Sequence, residues 1–284
     1  MHLQALSAGT NGAGAANEDA IGSCDGAFWV LDGATGLGGP FVSEKSDAQW
    51  FASHVSAGLS TVLREPNTEQ TADILSGVLV ALESEFTRKT ANVKLQRHEL
   101  PAAAFCMARL LGARIEFSWA ADCKGYLFRG DDLVETIGGG ALEALDGIAL
   151  SQLRDVLSAD PHLNLAAARD AIRPTLIKHR SLMNAAEGYR VLTPMAASAA
   201  GLSYASADVH AGDDILLATD GFYCLWETYE PGTLAAVLGE LRGGVGDAVV
   251  RRLRDIERAD PDGRKYTRFK VHDDVSWALM RVIA

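Results

Sequence analysis

The stretch Asn17-Glu18-Asp19-Ala20-Ile21-Gly22-Ser23-Cys24-Asp25-Gly26-Ala27-Phe28-Trp29-Val30-Leu31-Asp32-Gly33 holds two apolar runs, with Asp25-Gly26 between them and an acidic dipeptide at each outer end. Asp-Gly between two strand-like runs is a strong hairpin signal. In an antiparallel pair the start of one strand lies beside the end of the other. Glu18–Asp19 and Asp32–Gly33 are therefore expected together. The same arrangement recurs near the C-terminus, where Asp220–Gly221 closes the run Ile215 to Thr219 and Asp273–Asp274 opens the run Val275 to Ile283. With antiparallel neighbours all four dipeptides gather at one sheet edge. Crowded carboxylates repel unless cations neutralise them, so the pattern predicts a site for hard, oxygen-seeking ions such as Mg²⁺ or Mn²⁺.

Asp-Gly is also an ordinary turn dipeptide, and it occurs here at Asp25, Asp146 and Asp262 as well. The order and the apolar flanks of the four dipeptides carry the reading, not any one of them alone.

The rest of the 284 residues frames that hairpin. The chain is 48% hydrophobic, enough for a well-formed core. It has no apolar stretch of the roughly 20 residues that span a bilayer. It shows no secretory leader, so a cytoplasmic location is expected. A net charge of −11 disfavours nucleic-acid binding. The four cysteines, Cys24, Cys106, Cys123 and Cys224, form no CxxC pair and read as buried free thiols.

Gly9 to Ala16 reads as a loop. Phe51, Val55, Leu59 and Val62, then Ile74, Leu75, Val78, Leu79, Leu82 and Phe86, recur at helical spacing. They predict helices over 44–64 and 69–89, the second capped by Thr68 or Asn67. Strands follow over 102–111, 114–120, 125–129 and 133–137. The segment 138–200 is irregular, with helices expected near 150–158 and 163–179, the latter broken at Pro174, and short strands at 189–192 and 202–207. A buried strand at 215–219, helices over 221–226, 234–241 and 247–256, and a last strand at 275–283 complete the chain. Strands come in consecutive runs, which favours an α+β fold with two mainly antiparallel sheets over a doubly wound parallel sheet. Helix pairs on the outer faces give a four-layer αββα sandwich in one domain, residues 1–284. His54 and the tryptophans Trp119, Trp226 and Trp277 read as structural, and Arg251, Arg252 and Arg254 as solvated helix positions.

The ordered segments Asn17-Glu18-Asp19-Ala20, Val30-Leu31-Asp32-Gly33, Ala121-Asp122-Cys123, Leu217-Ala218-Thr219-Asp220-Gly221-Phe222 and Asp273-Asp274-Val275-Ser276 resemble the signature of the metal-dependent protein phosphatases, the type 2C family. The resemblance runs from about residue 17 to 280. It implies an αββα sandwich with two Mg²⁺ or Mn²⁺ ions between the sheets and hydrolysis of phosphoserine or phosphothreonine in proteins, with a Ser/Thr kinase as a companion partner. It also implies roles. Asp32 bridges the ions, the Gly33 carbonyl and Glu18 serve one ion with Asp19, and Asp220 and Asp273 serve the other. Asp122 stands at a weaker third metal site. Asp32 and Asp220 are the residues on which turnover depends most. Asp274 is the lesser ligand of its pair, and a variable flap covers about 138–200.

Three departures from the family pattern stand out. Gly14 occupies the place of a phosphate-binding arginine, and no Lys or Arg lies between residues 1 and 44. Ala34 occupies the place of a histidine proposed as general acid. Ala121-Asp122-Cys123 replaces Gly-Asp-Ser. A substitute clamp is sought among Arg173, Lys178, His179, Arg180 and Arg190, with Arg180 and Arg190 as substrate-binding candidates, because guanidinium pairs well with phosphate. Two alternatives stay open on the residues: a catalytically weak pseudophosphatase that binds a phosphoprotein or kinase, and a phosphatase of a small phosphorylated metabolite.

Overall fold

The computed structural model describes residues 1–65 and 67–284. Among them ten strands build two antiparallel sheets. The first carries β1 (His2–Asn11), β10 (Val275–Ile283), β9 (Asp214–Ala218), β6 (Lys124–Arg129) and β7 (Asp132–Gly138), in that spatial order. The second carries β2 (Ala20–Cys24), β3 (Ala27–Ala34), β4 (Ala102–Leu111), β5 (Arg114–Ala120) and β8 (Ser203–Asp208). β2 and β3 form the expected hairpin, with Gly26 at φ +77° in its turn, and Ala20 pairs with Leu31.

Alternate residues of the strands fill two different cores. Phe28, Val30, Cys106, Phe117, Ile215, Leu217, Ala278 and Met280 meet between the sheets. Trp29, Leu31, Phe105 and Met107 face outward onto α1 (Asp47–Val62) and α2 (Thr71–Lys89), which lay down Phe51, Val55, Leu59, Leu75 and Leu79 at helical spacing. Tyr126, Leu216, Trp277 and Leu279 face the other way, onto α6 (Asp220–Cys224), α7 (Leu234–Arg242) and α8 (Gly246–Arg258). The layers are helices, sheet, sheet, helices, as the period changes along the sequence predict. A fourth, small core is made by α3 (Ala141–Ala159), α4 (Leu165–Ala171) and α5 (Arg173–Arg180), through Leu153, Leu157, Leu165 and Ile172, with Phe269 packed against it.

Several local expectations are corrected. Gly9, Thr10 and Asn11 belong to β1 rather than to a loop. β1 is rich in small residues and Gly9 lies opposite Trp277 of β10, so the partner supplies the bulk and β1 alternates only weakly. The second helix has Gln70 at its N-cap without a side-chain bond, while the Asn67 side chain accepts from Glu69 N–H at 2.7 Å. α3 starts nine residues before the expected 150. The next helix divides at Ile172, and Pro174 sits in the first turn of α5, where its missing N–H costs nothing. Tyr189 and Leu192 make only single bridges. Arg254 is buried, not solvated. Cys24 and Cys224 are half-buried, whereas Cys106 and Cys123 are fully buried.

Candidate active site

Five acids arrive at one edge of the two sheets, each by its own element. Asp19 immediately precedes β2, and Asp32 lies near the end of β3, one step beyond the Ala20–Leu31 pair. Asp122 occupies the tight turn from β5 to β6, after Ala121, which holds φ +62°. Asp220 begins α6 directly after β9, and Asp273 stands just before β10. Thr219 ties the sheets together here. Its hydroxyl donates to Asp19 Oδ2 at 2.9 Å and accepts from Ser276 N–H at 3.0 Å.

The other member of each acidic pair, Asp274 and Glu18, bonds to the surrounding frame. Asp274 accepts from Ala13 N–H and from Glu18 N–H, both at 2.7 Å, and so pins the loop that leads into β2. Glu18 turns its carboxylate to two hydroxyls, Thr35 and Ser46, each donating at 2.5 Å. Ser46 is also the N-cap of α1. The glycines of the two Asp-Gly pairs complete this frame. A Cβ on Gly33 would stand 2.3 Å from the Glu18 carbonyl oxygen, and one on Gly221 would stand 1.9 Å from that of Asp274. Neither lies in the left-handed region. These are close-approach glycines rather than turn glycines.

Electrostatics mark the five acids as one cluster. Burial first, then the charges of Asp220, Asp19, Asp273 and Asp122, push the Asp32 carboxyl well above its ordinary range. Asp19 is raised by burial and by Asp273 and Asp274, against a lowering bond from Ser276. Asp122 is raised by burial and by Asp220 and Asp146. Asp220 is raised by burial, then by Asp273, and the Lys270 charge offsets part of that. One cation enters: Lys270 Nζ lies 2.8 Å from Asp273 Oδ1. Burial opposes its charge, but Asp273, with Asp32 and Asp220 behind it, holds the ammonium above its usual range.

Comparison with known proteins follows from this geometry. No protein-family model matches the chain, and no curated protein matches it. Solved structures do. The serine/threonine phosphatase PstP/Ppp of Mycobacterium tuberculosis is 16% identical with a TM-score of 0.59, and the match covers 100% of both chains. The catalytic domain of PstP in complex with two manganese ions is 16% identical at 0.57, covering 100% of this chain and 99% of that one. PppA, a regulatory component of T6SS in Pseudomonas aeruginosa, is 17% identical at 0.56, covering 99% and 98%. The chain has the type 2C phosphatase fold.

Within this type 2C fold Asp32, Asp122, Asp220 and Asp273 form the acidic floor of a cleft of about 210 Å³, lined also by Asp146, Arg169, His179, Arg180, Tyr189 and Lys270. The oxygen-only donor set suits Mg²⁺ or Mn²⁺. Asp19 Oδ1 and Asp220 Oδ1 are buried without a hydrogen-bond partner, which is the condition of an oxygen built to face a cation. Among the described residues, no three His, Cys, Asp or Glu side chains are already drawn together around a single point. The acids form a gathered cluster rather than a closed cage.

The candidate clamp residues separate. Arg180 lines the cleft, with Nη2 donating to the Ala34 carbonyl at 2.6 Å and to that of Leu100 at 3.0 Å. Arg190 lies in a different groove, beside Asn184 and Thr193. Arg173 reaches the Leu37 carbonyl at 2.8 Å. Gly14 is exposed and its side-chain position opens onto empty space.

Three cleft residues escaped the sequence. Asp146, on α3, is pushed up to about 7 by burial, then by Asp220 and Glu143. Its Asp-Gly dipeptide read as a turn and is helical. Lys270 and Arg169 had no distinguishing pattern. Among the described residues, no helix is long and apolar enough to cross a membrane.

Proposed function

We propose that this chain is a metal-dependent phosphatase that hydrolyses phosphoserine or phosphothreonine in proteins. Its partners would be a phosphoprotein and the Ser/Thr kinase that installs the phosphate, in the cytoplasm. The observation that carries the reading is the cluster of Asp19, Asp32, Asp122, Asp220 and Asp273, buried or half-buried together, with two orphaned oxygens and a single lysine in contact. So many carboxyl groups cannot all ionise without cations. In this reading the chain is one domain, and the 138–200 segment is a flap beside the site.

Asp32 would hold two ions between Asp220 and Asp273 on one side and Glu18, Asp19 and the Gly33 carbonyl on the other, with Asp122 at a weaker third position. Glu18 would have to leave one of its two hydroxyl partners or act through a water. Bound divalent ions supply Lewis-acid charge and a water nucleophile ionised near neutral pH. The chain's own residues supply rigidity. Thr219 and Asp274 fix the two strand ends that carry the acids, and Lys270 holds the Asp273 carboxylate in place at 2.8 Å. No side-chain nucleophile competes. The Cys123 thiol beside the site is buried, and burial and the charges of Asp32 and Asp122 hold it well above the usual thiol range.

Turnover of an aryl phosphate in Mn²⁺, its loss in EDTA, and its loss in Asp32→Ala and Asp220→Ala with the fold intact are the expected results. Full activity in either variant would refute the assignment. Comparing phosphopeptides with phosphorylated metabolites at equal concentration then separates protein from small-molecule substrates.

A further inference from the structure

Opposite the acidic floor, α4 and the end of α5 bring a basic wall to the same cleft: Arg169, His179 and Arg180. Three of its nitrogens are buried without a partner, Arg169 Nε, His179 Nδ1 and Arg180 Nε. Arg180 spends only its outer nitrogen, on the carbonyls of Ala34 and Leu100. For Arg169 the case is stronger. Among the described residues its guanidinium makes no hydrogen bond and no ion pair, although it is half-buried. Its Nε is buried without a partner, and its two terminal nitrogens bond to no protein group among the described residues, which leaves the planar fork free. A buried donor left unpaired is destabilising, so such a group normally has a partner. The acids across the cleft do not quench it, since the ion pair on that side is made by Lys270.

A negative floor and a positive wall with open volume between them fit one kind of occupant: an oxyanion that meets cations on one side and guanidinium on the other. The floor's orphaned acceptors and the wall's orphaned donors are then satisfied by the same bound pair. The N-terminal residues cannot supply the positive side, because residues 1–44 contain no Lys or Arg.

We infer that Arg169, supported by the free Nε of Arg180, is the phosphate clamp of this chain, holding the phosphomonoester dianion from the flap side of the cleft. The inference deepens the phosphatase reading and rests on it for the identity of the substrate. Its test does not need turnover. A planar fork matches two phosphate oxygens at once, which a lysine cannot do.

The experiment is calorimetric titration of the full chain, in Mn²⁺, with inorganic phosphate. Arg169→Gln is expected to weaken phosphate binding by about 10-fold or more, the factor lost with one charge-assisted bond. Arg169→Lys recovers part of it. The thermal midpoint and the Mn²⁺ affinity stay at wild-type values, because Arg169 holds nothing else in the protein. With an aryl phosphate, KM rises while kcat holds, the mark of binding lost equally from ground and transition state. Unchanged phosphate affinity in Arg169→Gln overturns the inference. So does a loss that comes with a lowered midpoint or weaker Mn²⁺ binding, and so does a wild-type protein that binds no phosphate. If the wild type binds phosphate through Arg169 yet hydrolyses no phosphoester, the clamp stands and the phosphatase reading falls.

Discussion

Asp32, from β3, and Asp220, at the start of α6, line the same cleft, and the Asp220 charge helps push the Asp32 carboxyl up. Carboxyl groups crowded in this way hold protons more tightly: burial and the charges of Asp220, Asp19, Asp273 and Asp122 raise Asp32, and burial and Asp273 raise Asp220. A divalent cation does the same work with more charge and satisfies more oxygens. The pair is therefore a point at which protons and metal ions compete.

That competition has a sign. Asp19, Asp32, Asp122 and Asp220 are raised above their ordinary values, and Asp146 is raised to about 7. The folded chain then keeps protons that the unfolded chain releases above about pH 4. The stabilisation is fully present below that pH and is lost as pH rises through the raised values. EDTA-treated protein is expected to melt lower at pH 8 than at pH 5, and Mn²⁺ to restore the midpoint at pH 8. A metal-free midpoint that climbs over this range contradicts the cluster as described.

Asp32→Asn removes one charge from the crowd and keeps the shape. It should raise the metal-free midpoint at pH 8, while abolishing both the stabilisation by Mn²⁺ and turnover. Paired melts with and without Mn²⁺ read both effects. A gain in stability coupled to a loss of function separates a repelling ligand cluster from a structural one.

Gly221→Ala forces a methyl group to within 1.9 Å of the Asp274 carbonyl oxygen. The backbone of one acidic pair must then move away from the other. A loss of about 2 kcal/mol or more is expected, in the range of overpacked sites, together with weaker Mn²⁺ binding. Gly239→Ala, in α7 with open space around it, serves as the control and should stabilise by about 0.5–1 kcal/mol through helix propensity. Denaturant midpoints of the two variants should shift in opposite directions.

Arg254 is 8% exposed and donates to Glu257, which is 2% exposed, and to the Asp273 carbonyl at 2.7 Å. Arg254→Ala leaves the Glu257 charge with His272, at 2.7 Å, and the Tyr229 hydroxyl, at 3.4 Å, as its remaining partners. A cost of about 3–5 kcal/mol follows from breaking a buried pair on one side. Urea unfolding measures it, and a change below 1 kcal/mol, roughly that of a surface pair, would contradict the burial.

Ala121 occupies a left-handed conformation beside Asp122. Such a residue stores about 1–3 kcal/mol of backbone strain. A β-branched side chain fits there worst, so Ala121→Val should lower the midpoint clearly and Ala121→Gly should not. The order Gly at least equal to Ala, and Ala above Val, is read in one set of thermal melts.

Much of this molecule is legible in its residue order. Alternation in Arg114–Ala120 and helical spacing in 51–62 and 74–86 report directly which faces are buried. The acidic dipeptides mark strand ends because a charge cannot continue an apolar strand into a core. β1 was missed because its apolar bulk is supplied by Trp277, 268 residues away in the chain. Arg254 was misread because a helix face shows its period but not what covers it.

The residue order alone determined the layers, the hairpin and the set of acids at the sheet edge, since each follows from local periodicity and from which residues can end a strand. Only the folded chain decided which acids touch and which of them brace the backbone. It also decided that Arg169 and Lys270 face the same cleft from elements a hundred residues apart. Those are matters of distance between remote segments, and periodicity carries no information about distance across a core.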